Sequence, residues 1–249
     1  MNTEILQKIA NNTSPKKNFQ IIVSNNITSF NTVLNPSLQL NGNYEIALVG
    51  LETFYSFPNI SESSKNNMIL YTKGEQRFRI EIPTGSYEFD GLHDEIKRQL
   101  KNNGHEDAFK LIKNLNTLKT LLEVKSGYTV RFPKDNSIKS ILGFTERLYS
   151  SGFHISENVI NILSVNSIFV HVNVVNGSIV NGKQEPVIYT FFPKVSPGYK
   201  IIQNPKNPIY LPVALDNIRD FHVSLTDQNN NLLDLRGEVV TIRFHIRQV

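Results

Sequence analysis

The chain has 249 residues, of which 39% are hydrophobic and 19% charged, and it contains no cysteine. This length is enough for one large all-β domain or two small domains with a buried core, and the lack of cysteine excludes disulfides and thiolate chemistry. The formal net charge of +4 comes from Lys and Arg residues spread along the chain. Because they form no clustered basic face, we expect no specific nucleic-acid partner.

Residues 1–18 predict a flexible N-terminal arm. Ile5, Leu6 and Ile9 share one side of a helical turn, and the stretch NNTSPKK then breaks it. Such an arm is either disordered or docked on a neighbouring subunit. The segment lacks the apolar core of a signal peptide, so we expect synthesis inside the cell without secretion by this route. No stretch reaches the roughly 18 apolar residues of a membrane span, so none is expected.

Segments that alternate apolar and polar residues follow the arm and predict β-strands. The stretch 44–57 is apolar on both faces and predicts a central buried strand. Two strands bounded by proline are predicted at 185–192 and 207–215. The predicted inward-facing residues are Phe19, Ile21, Val23, Phe78, Ile80, Ile82, Tyr128, Val130, Phe132, Ile168, Val170, Val172, Val174, Phe221, Val223, Leu225, Val240, Ile242, Phe244 and Ile246.

The last two strands flank the turn-forming stretch DQNNN and predict a hairpin, with Gly237 as a bend before the final strand. The proline-rich and aromatic stretch 189–213 has poor strand register overall. It is interpreted either as a surface crossing that lies on a neighbouring subunit or as a long loop. Phe54, Tyr55 and Phe57 are core residues in the simplest interpretation, although an exposed aromatic cluster at a sheet end would suit a subunit contact.

One amphipathic helix is predicted in the stretch DGLHDEIKRQLKNNG, with Asp90 as its N-cap and Gly104 at its end. A second short helix is predicted after Asn136. The apolar stripe of the first helix consists of Leu92, Ile96 and Leu100.

Many short strands with one good helix favour an all-β sandwich or jelly roll over alternating βαβ units. The helix and the strands around it lie between two strand-rich blocks, which indicates an insertion between the halves of a sandwich. The predicted fold is a single jelly-roll sandwich with an inserted mixed β/α domain that contains one helix. The predicted jelly-roll domain comprises 19–57 and 166–249, and the insertion domain comprises 58–165.

Motifs for catalysis or cofactor binding are absent from the sequence, including HExxH, GxSxG, P-loop and GxGxxG patterns. His171, His222 and His245 alternate with apolar residues, which indicates the polar faces of strands. A metal site shared by His171 and His245 is a weaker hypothesis. Ser86 lies beside a glycine, without a base at a recognisable spacing, and is interpreted as part of a turn. We therefore predict no catalytic, cofactor-binding or metal-binding residue.

Five stretches, in this order, together resemble one family. They are GNYEIALVGLETFYSFPNI, IPTGSYEFDGLHDEIKRQL, YTVRF leading to ILGF, SIFVHVNVV and IRDFHVSLTDQNNNLLDLRGEVVTIRFHIR. This series is similar to the minor capsid, or penton, proteins of Maverick/Polinton transposable elements, virophages and adintoviruses. The chain departs from the family at NVVNGSIVNGKQEPVIYTFF, where a shorter polar linker would be expected and an extended loop is predicted instead.

The resemblance implies a structural virion protein that consists of a single jelly roll with an inserted domain. It implies a homopentamer at each vertex of an icosahedral capsid, among trimers of a double-jelly-roll major capsid protein. The resemblance implies no catalytic residues for this chain, because the function of the family depends on the surfaces of its members. The inserted domain would be free to contact a host-cell receptor.

Two other functions compete with this interpretation. Jelly rolls also serve as binding modules for glycans or receptors, although the sequence shows neither an acidic calcium cluster nor a tryptophan to stack on a sugar. An enzyme with a scattered site is the least favoured function, because no constellation of titratable residues is apparent.

Overall fold

The polypeptide folds mainly into antiparallel strands, as the alternating pattern of its sequence predicts. A computed structural model describes residues 16–163 and 165–249, so most of the predicted arm lies outside the described residues. Eighteen strands and two helices lie within the described part, which confirms the all-β class. Neither of these helices has the length and apolar character needed to cross a membrane.

The strands are mostly short, and all of their pairings are antiparallel. In chain order they are β1 (Asn18–Asn25), β2 (Ser29–Gln39), β3 (Tyr44–Phe54), β4 (Met68–Lys73), β5 (Gln76–Glu81), β6 (Phe109–Asn114), β7 (Lys119–Val124), β8 (Tyr128–Arg131), β9 (Leu148–Tyr149), β10 (Gly152–Ile155), β11 (Ile168–Val172), β12 (Ser178–Val180), β13 (Lys183–Glu185), β14 (Val187–Phe191), β15 (Lys200–Gln203), β16 (Leu211–Pro212), β17 (Asn217–Thr226) and β18 (Val240–Gln248). The helices are α1 (Phe89–Asn102) and α2 (Lys139–Leu142).

The chain divides into two compact units. The first contains the described residues up to Tyr55, together with Ser167–Val195 and Tyr199–Val249. The second contains Ser56–Asn166 and Ser196–Gly198. The long segment Ser56–Asn166 lies in sequence between β3 and β11, which are both strands of the first unit.

Two sheets form the first unit, and their strand order is that of a jelly roll. In one sheet the order is β1-β18-β3, with β15 and β16 both on the far edge of β3; in the other it is β14-β11-β17-β2. When β15 and β16 are counted as one interrupted strand, the two sheets contain eight strands, which in chain order are β1, β2, β3, β11, β14, β15/β16, β17 and β18. The first of these pairs with the last, the second with the seventh, the third with the sixth and the fourth with the fifth. A long antiparallel ribbon rolled into two layers gives this pairing, which confirms the predicted jelly roll.

Alternation along the strands places their apolar residues between the two sheets. Phe221 on β17 and Phe244 on β18 are both fully buried. Their rings meet edge to face with centroids 5.1 Å apart, a favourable geometry for aromatic pairs. The predicted inward sets on β1, β11, β17 and β18 are therefore confirmed.

The predicted closing hairpin is wrong, because β17 and β18 belong to different sheets. The DQNNN turn does form, and Asp227 N donates a hydrogen bond to Asn231 O over 2.9 Å. The chain then passes from one sheet to the other with Leu233 and Leu235 buried, and Gly237 supplies a bend with φ of 82°. Strand alternation is the same whether two strands lie side by side or face to face, so the pattern did not distinguish the two arrangements.

The stretch 189–213 is more than a surface crossing or loop, because it contains β15 and β16. Ile201 on β15 is buried against the core and pairs with β3. Strand structure in the predicted segment 207–215 is limited to the two residues of β16. Proline has no backbone N–H to donate to a ladder, which accounts for the break between β15 and β16 around Pro205 and Pro208.

The stretch that departs from the family pattern forms a small ribbon and not an extended loop. β12 and β13 pair around Asn181 and Gly182, whose φ values are 50° and 80°. Two successive positive φ values are the signature of a type I′ hairpin turn, for which Asn-Gly is the preferred sequence.

The second unit contains the sheets β5-β4-β8-β9 and β10-β7-β6 together with both helices. Helix α1 buries the predicted stripe of Leu92, Ile96 and Leu100. Its N-cap is Glu88, which makes no side-chain capping bond, so the prediction of Asp90 as N-cap is wrong: Asp90 lies in the first turn. The helix dipole favours an acidic residue both at the N-cap and in the first turn. The acidic Asp90 was therefore compatible with either position.

Candidate interaction surfaces

The described residues contain no group of three or more His, Asp or Glu side chains that could hold a metal ion. His171 Nε2 lies 2.9 Å from Thr226 Oγ1, and His245 Nδ1 lies 2.8 Å from Tyr210 Oη. The two histidines lie on strands of different sheets and face away from the core between them. The hypothesis of a metal site shared by His171 and His245 is therefore wrong.

Ser86 lies in the irregular segment between β5 and α1, two residues after the bend at Thr84. Its hydroxyl donates to the carbonyl oxygen of Phe57 over 2.7 Å, next to a bridge that pairs Gly85 with Ile60. Its hydroxyl donates only to backbone carbonyl oxygens among the described residues and contacts no base, which is typical of a structural serine.

The outer face of the sheet that contains β1, β18 and β3 carries a set of paired charges, which we call the charged face. Glu52 is its centre: one carboxylate oxygen lies 2.7 Å from Lys200 Nζ and the other 2.9 Å from Arg243 Nη2. These three residues belong to β3, β15 and β18, so the ion pairs cross the sheet. The other members of the charged face are Glu45, Tyr210, His245 and Arg247.

Gly50 explains how Arg243 lies flat on this sheet. The two residues are register partners on β3 and β18. A Cβ atom at Gly50 would lie 2.7 Å from Arg243 Nε, which is too close for a real contact. The bare glycine thus provides the space in which the guanidinium lies on its way to Glu52.

A second group of the charged face lies toward the end of β18. Arg247 Nη2 is 3.0 Å from Glu45 Oε2, and its guanidinium carbon lies 3.5 Å from the centre of the Tyr210 ring. The hydroxyl of Tyr210 reaches His245 Nδ1. Stacking and ion pairing together restrict the arginine to one orientation.

Exposed apolar side chains border the charged face on two strands. Ile22 on β1 is 58% exposed and Ile202 on β15 is 54% exposed. Phe54 at the end of β3 is also exposed, whereas Tyr55 and Phe57 are buried. Core packing is thus confirmed for two of the three aromatic residues, and Phe54 is available for a contact.

The outer face of the other sheet carries a set of hydrogen-bonded polar side chains, together with the exposed Val33; we call it the histidine face. Ser29 Oγ lies 3.1 Å from His222 Nε2, and Asn31 donates to the Asp220 carboxylate over 3.0 Å. Burial lowers the pKa of His171 below its ordinary value, an effect that Glu185 partly opposes. A lowered pKa favours the neutral imidazole, so His171 adds little positive charge to this face at pH 7.

The charge network makes the stability of the fold depend on pH. Hydrogen bonds from Lys200 and then Arg243 hold the pKa of Glu52 below its usual value of 4.5. The charged carboxylate therefore stabilises the folded state above pH 4.5, and this stabilisation is lost as the pH falls through the lowered pKa. We expect Glu52→Gln to destabilise the protein at pH 7, by a difference from wild type that shrinks as the pH falls below about 5 and through the lowered pKa.

Urea denaturation followed by circular dichroism across this pH range tests the expectation. Glu238→Gln is the matched control, because Glu238 is exposed and makes no ion pair in the described part of the chain. A pH-independent difference for Glu52→Gln, or the same pH profile for both variants, would contradict the assignment of Glu52 as the centre of the charge network.

No protein-family model matches the chain, and no curated protein matches it. Among solved structures, the crystal structure of selenomethionine-labelled mavirus penton protein aligns with 94% of this chain and 100% of its own, at 11% sequence identity and a TM-score of 0.48. A TM-score of this size does not by itself establish a shared fold. The jelly roll of this chain therefore rests on the strand pairing described above.

Proposed function

We propose that the chain is a structural virion protein, the penton, or minor capsid, protein of a virus or element of the Maverick/Polinton and virophage type. The observation that carries the proposal is an eight-stranded jelly roll whose chain is interrupted between its third and fourth strands by the segment Ser56–Asn166. This organisation is what the resemblance of the five sequence stretches implies. The proposed role is assembly, without a catalytic step.

The two outer faces of the sandwich suit assembly into a ring. A two-fold dimer uses one self-complementary patch, whereas a closed ring needs two different surfaces on each subunit. The charged face and the histidine face point in opposite directions from one core and differ in chemistry. We propose that the charged face of one copy contacts a different surface of the next, burying upwards of ~1,000 Å² in total.

The proposed partners follow from the same family. Five copies would form a homopentamer at each capsid vertex, surrounded by trimers of a double-jelly-roll major capsid protein. The jelly-roll domain at 19–57 and 166–249 would make the capsid contacts, with the arm at 1–18 as an additional tether. The insertion domain at 58–165 would then be available for a receptor.

The pentamer is directly measurable. Native mass spectrometry of the purified protein is expected to show a species about five times the 28.3 kDa mass of one chain, and class averages in electron microscopy should show five-fold symmetry. A strict monomer at high concentration, both alone and with the major capsid protein, would overturn the proposal.

A surface variant tests the contribution of the charged face. Ile202→Glu places an unpaired negative charge at its border, so the pentamer is expected to dissociate at concentrations where wild type stays assembled. Leu115→Glu is the matched control, since Leu115 is similarly apolar and exposed but belongs to the second unit. Equal dissociation of both variants would place the contact elsewhere.

A further inference from the structure

The sheet β5-β4-β8-β9 of the second unit has an outer face on which arginines surround small polar and apolar side chains. Leu70 pairs with Arg79 on one side and with Arg131 on the other. Thr72, two residues further along β4, pairs with Arg77 and Thr129. Residues two apart on a strand share a face, so these side chains lie on one surface.

A cleft of about 280 Å³ opens on this surface. Its floor contains the hydroxyl groups of Thr72 and Thr129, whose oxygen atoms lie 2.8 Å apart. Leu70 and the exposed Leu148 add apolar surface. The volume lies just below the usual range for small-molecule sites, so it suits a ligand of one or two sugar rings.

Arg77 and Arg131 line the cleft, and neither guanidinium has an ion-pair or hydrogen-bond partner within residues 16–163 and 165–249. Two other arginines of the same unit form ion pairs: Arg79 lies 3.2 Å from Glu81, and Arg147 lies 2.9 Å from Glu157. From strand spacing and rise, the Cα atoms of Arg77 and Arg131 are about 12 Å apart across β4. Two such side chains can reach one anionic group from opposite sides.

We propose that this cleft binds an acidic saccharide through a sulfate or carboxylate group. A guanidinium recognises either group with two parallel hydrogen bonds. The threonine hydroxyls can exchange hydrogen bonds with sugar hydroxyls, and the leucines can pack against the apolar face of a sugar ring. The cleft belongs to the second unit, whereas the charged and histidine faces belong to the first.

Two features of the structure disfavour other anionic partners. An acidic peptide added as a strand needs an open sheet edge, and the side chain of Gln99 covers that edge at the last residue of β5: it accepts from Glu81 N over 3.2 Å and donates to Glu81 O over 2.6 Å. A nucleic acid needs several phosphate contacts for useful affinity, and the cleft offers two unpaired arginines.

The binding of defined saccharides to the full chain tests the proposal. Calorimetry or NMR titration with a heparin-derived tetrasaccharide and with 3′-sialyllactose distinguishes sulfate from carboxylate as the recognised group, and neutral lactose is the negative control. Arg77→Ser with Arg131→Ser is expected to weaken binding of the preferred saccharide at least about tenfold. Arg77→Lys with Arg131→Lys is expected to fall between this variant and wild type, because lysine keeps the charge without the planar fork.

The matched control is Arg219→Ser with Arg236→Ser, which removes the same charge from exposed positions of the first unit and should leave binding unchanged. Circular dichroism and the oligomeric state should match wild type for all variants, so loss of binding would not reflect unfolding. The proposal would be overturned by three results: no binding of either acidic saccharide to wild type, equal loss in the control variant, or equal binding of lactose. Competition of equal strength by polyglutamate or single-stranded DNA would also overturn it, in favour of general attraction to polyanions.

Discussion

Replacement of Phe244 by Ala is expected to lower the free energy of unfolding by about 3–5 kcal/mol. The side chain is fully buried between the two sheets, and its ring meets that of Phe221 edge to face. Removing the ring leaves a cavity that close-packed neighbours fill only in part. Urea unfolding monitored by circular dichroism measures the change, and Phe192→Ala, at a partly exposed aromatic residue, should cost less than about 1 kcal/mol.

A double-mutant cycle with Phe221→Ala extends this test to the contact between the sheets. Because the two rings touch, their individual effects should be non-additive by about 0.5–1.5 kcal/mol. Strict additivity would show that the contact between the two rings contributes no coupling energy across the sheets.

In the second unit, the largest effect is expected from Gly143→Ala, which should lower the free energy of unfolding by more than about 2 kcal/mol. Gly143 has a φ of 80°, a conformation that costs a residue with a Cβ atom about 1–2 kcal/mol. A Cβ atom would also lie 2.2 Å from the carbonyl oxygen of Asn158, and Asn158 N donates to Gly143 O over 2.8 Å. The clash is with backbone, so it cannot be relieved by a side-chain rotation.

Gly127→Ala separates the two causes. Gly127 has a similar φ of 85°, but no atom lies within 4 Å of the position its Cβ would take. This variant should therefore lose only the conformational term of about 1–2 kcal/mol. Equal losses at both glycines, measured by thermal and urea unfolding, would show that the contact with Asn158 carries no weight.

The alternating pattern was sufficient to predict which residues face the core, but not which strands are neighbours. Period-two alternation depends on a strand having one buried face, and the inward sets of β1, β11, β17 and β18 follow from it directly. Neighbouring strands are determined by long-range packing. For this reason the pattern indicated a hairpin at the end of the chain, and the proline-rich stretch gave no sign that Ile201 pairs with β3.

The surfaces were less predictable than the core for the same reason. Arg243 and His245 alternate with apolar residues and could be assigned to an outer face from the sequence. Glu52 could not, because the pairing of β18 with β3 shifts register between Arg243 and Phe244, and a bulge changes which residues face outward. Arg77 and Arg131 lie far apart in sequence and meet only through the order β5-β4-β8.

The position of β18 between β1 and β3 has a consequence for how the protein folds. Strands from the two ends of the chain must find each other before this sheet exists, and such high contact order slows folding. Pairing in the second unit is largely local, as between β4 and β5 or β6 and β7. The unit that interrupts the sandwich in sequence is therefore expected to be protected from hydrogen exchange earlier during refolding than the sandwich itself, whose unpaired β3 would meanwhile be a natural target for chaperones.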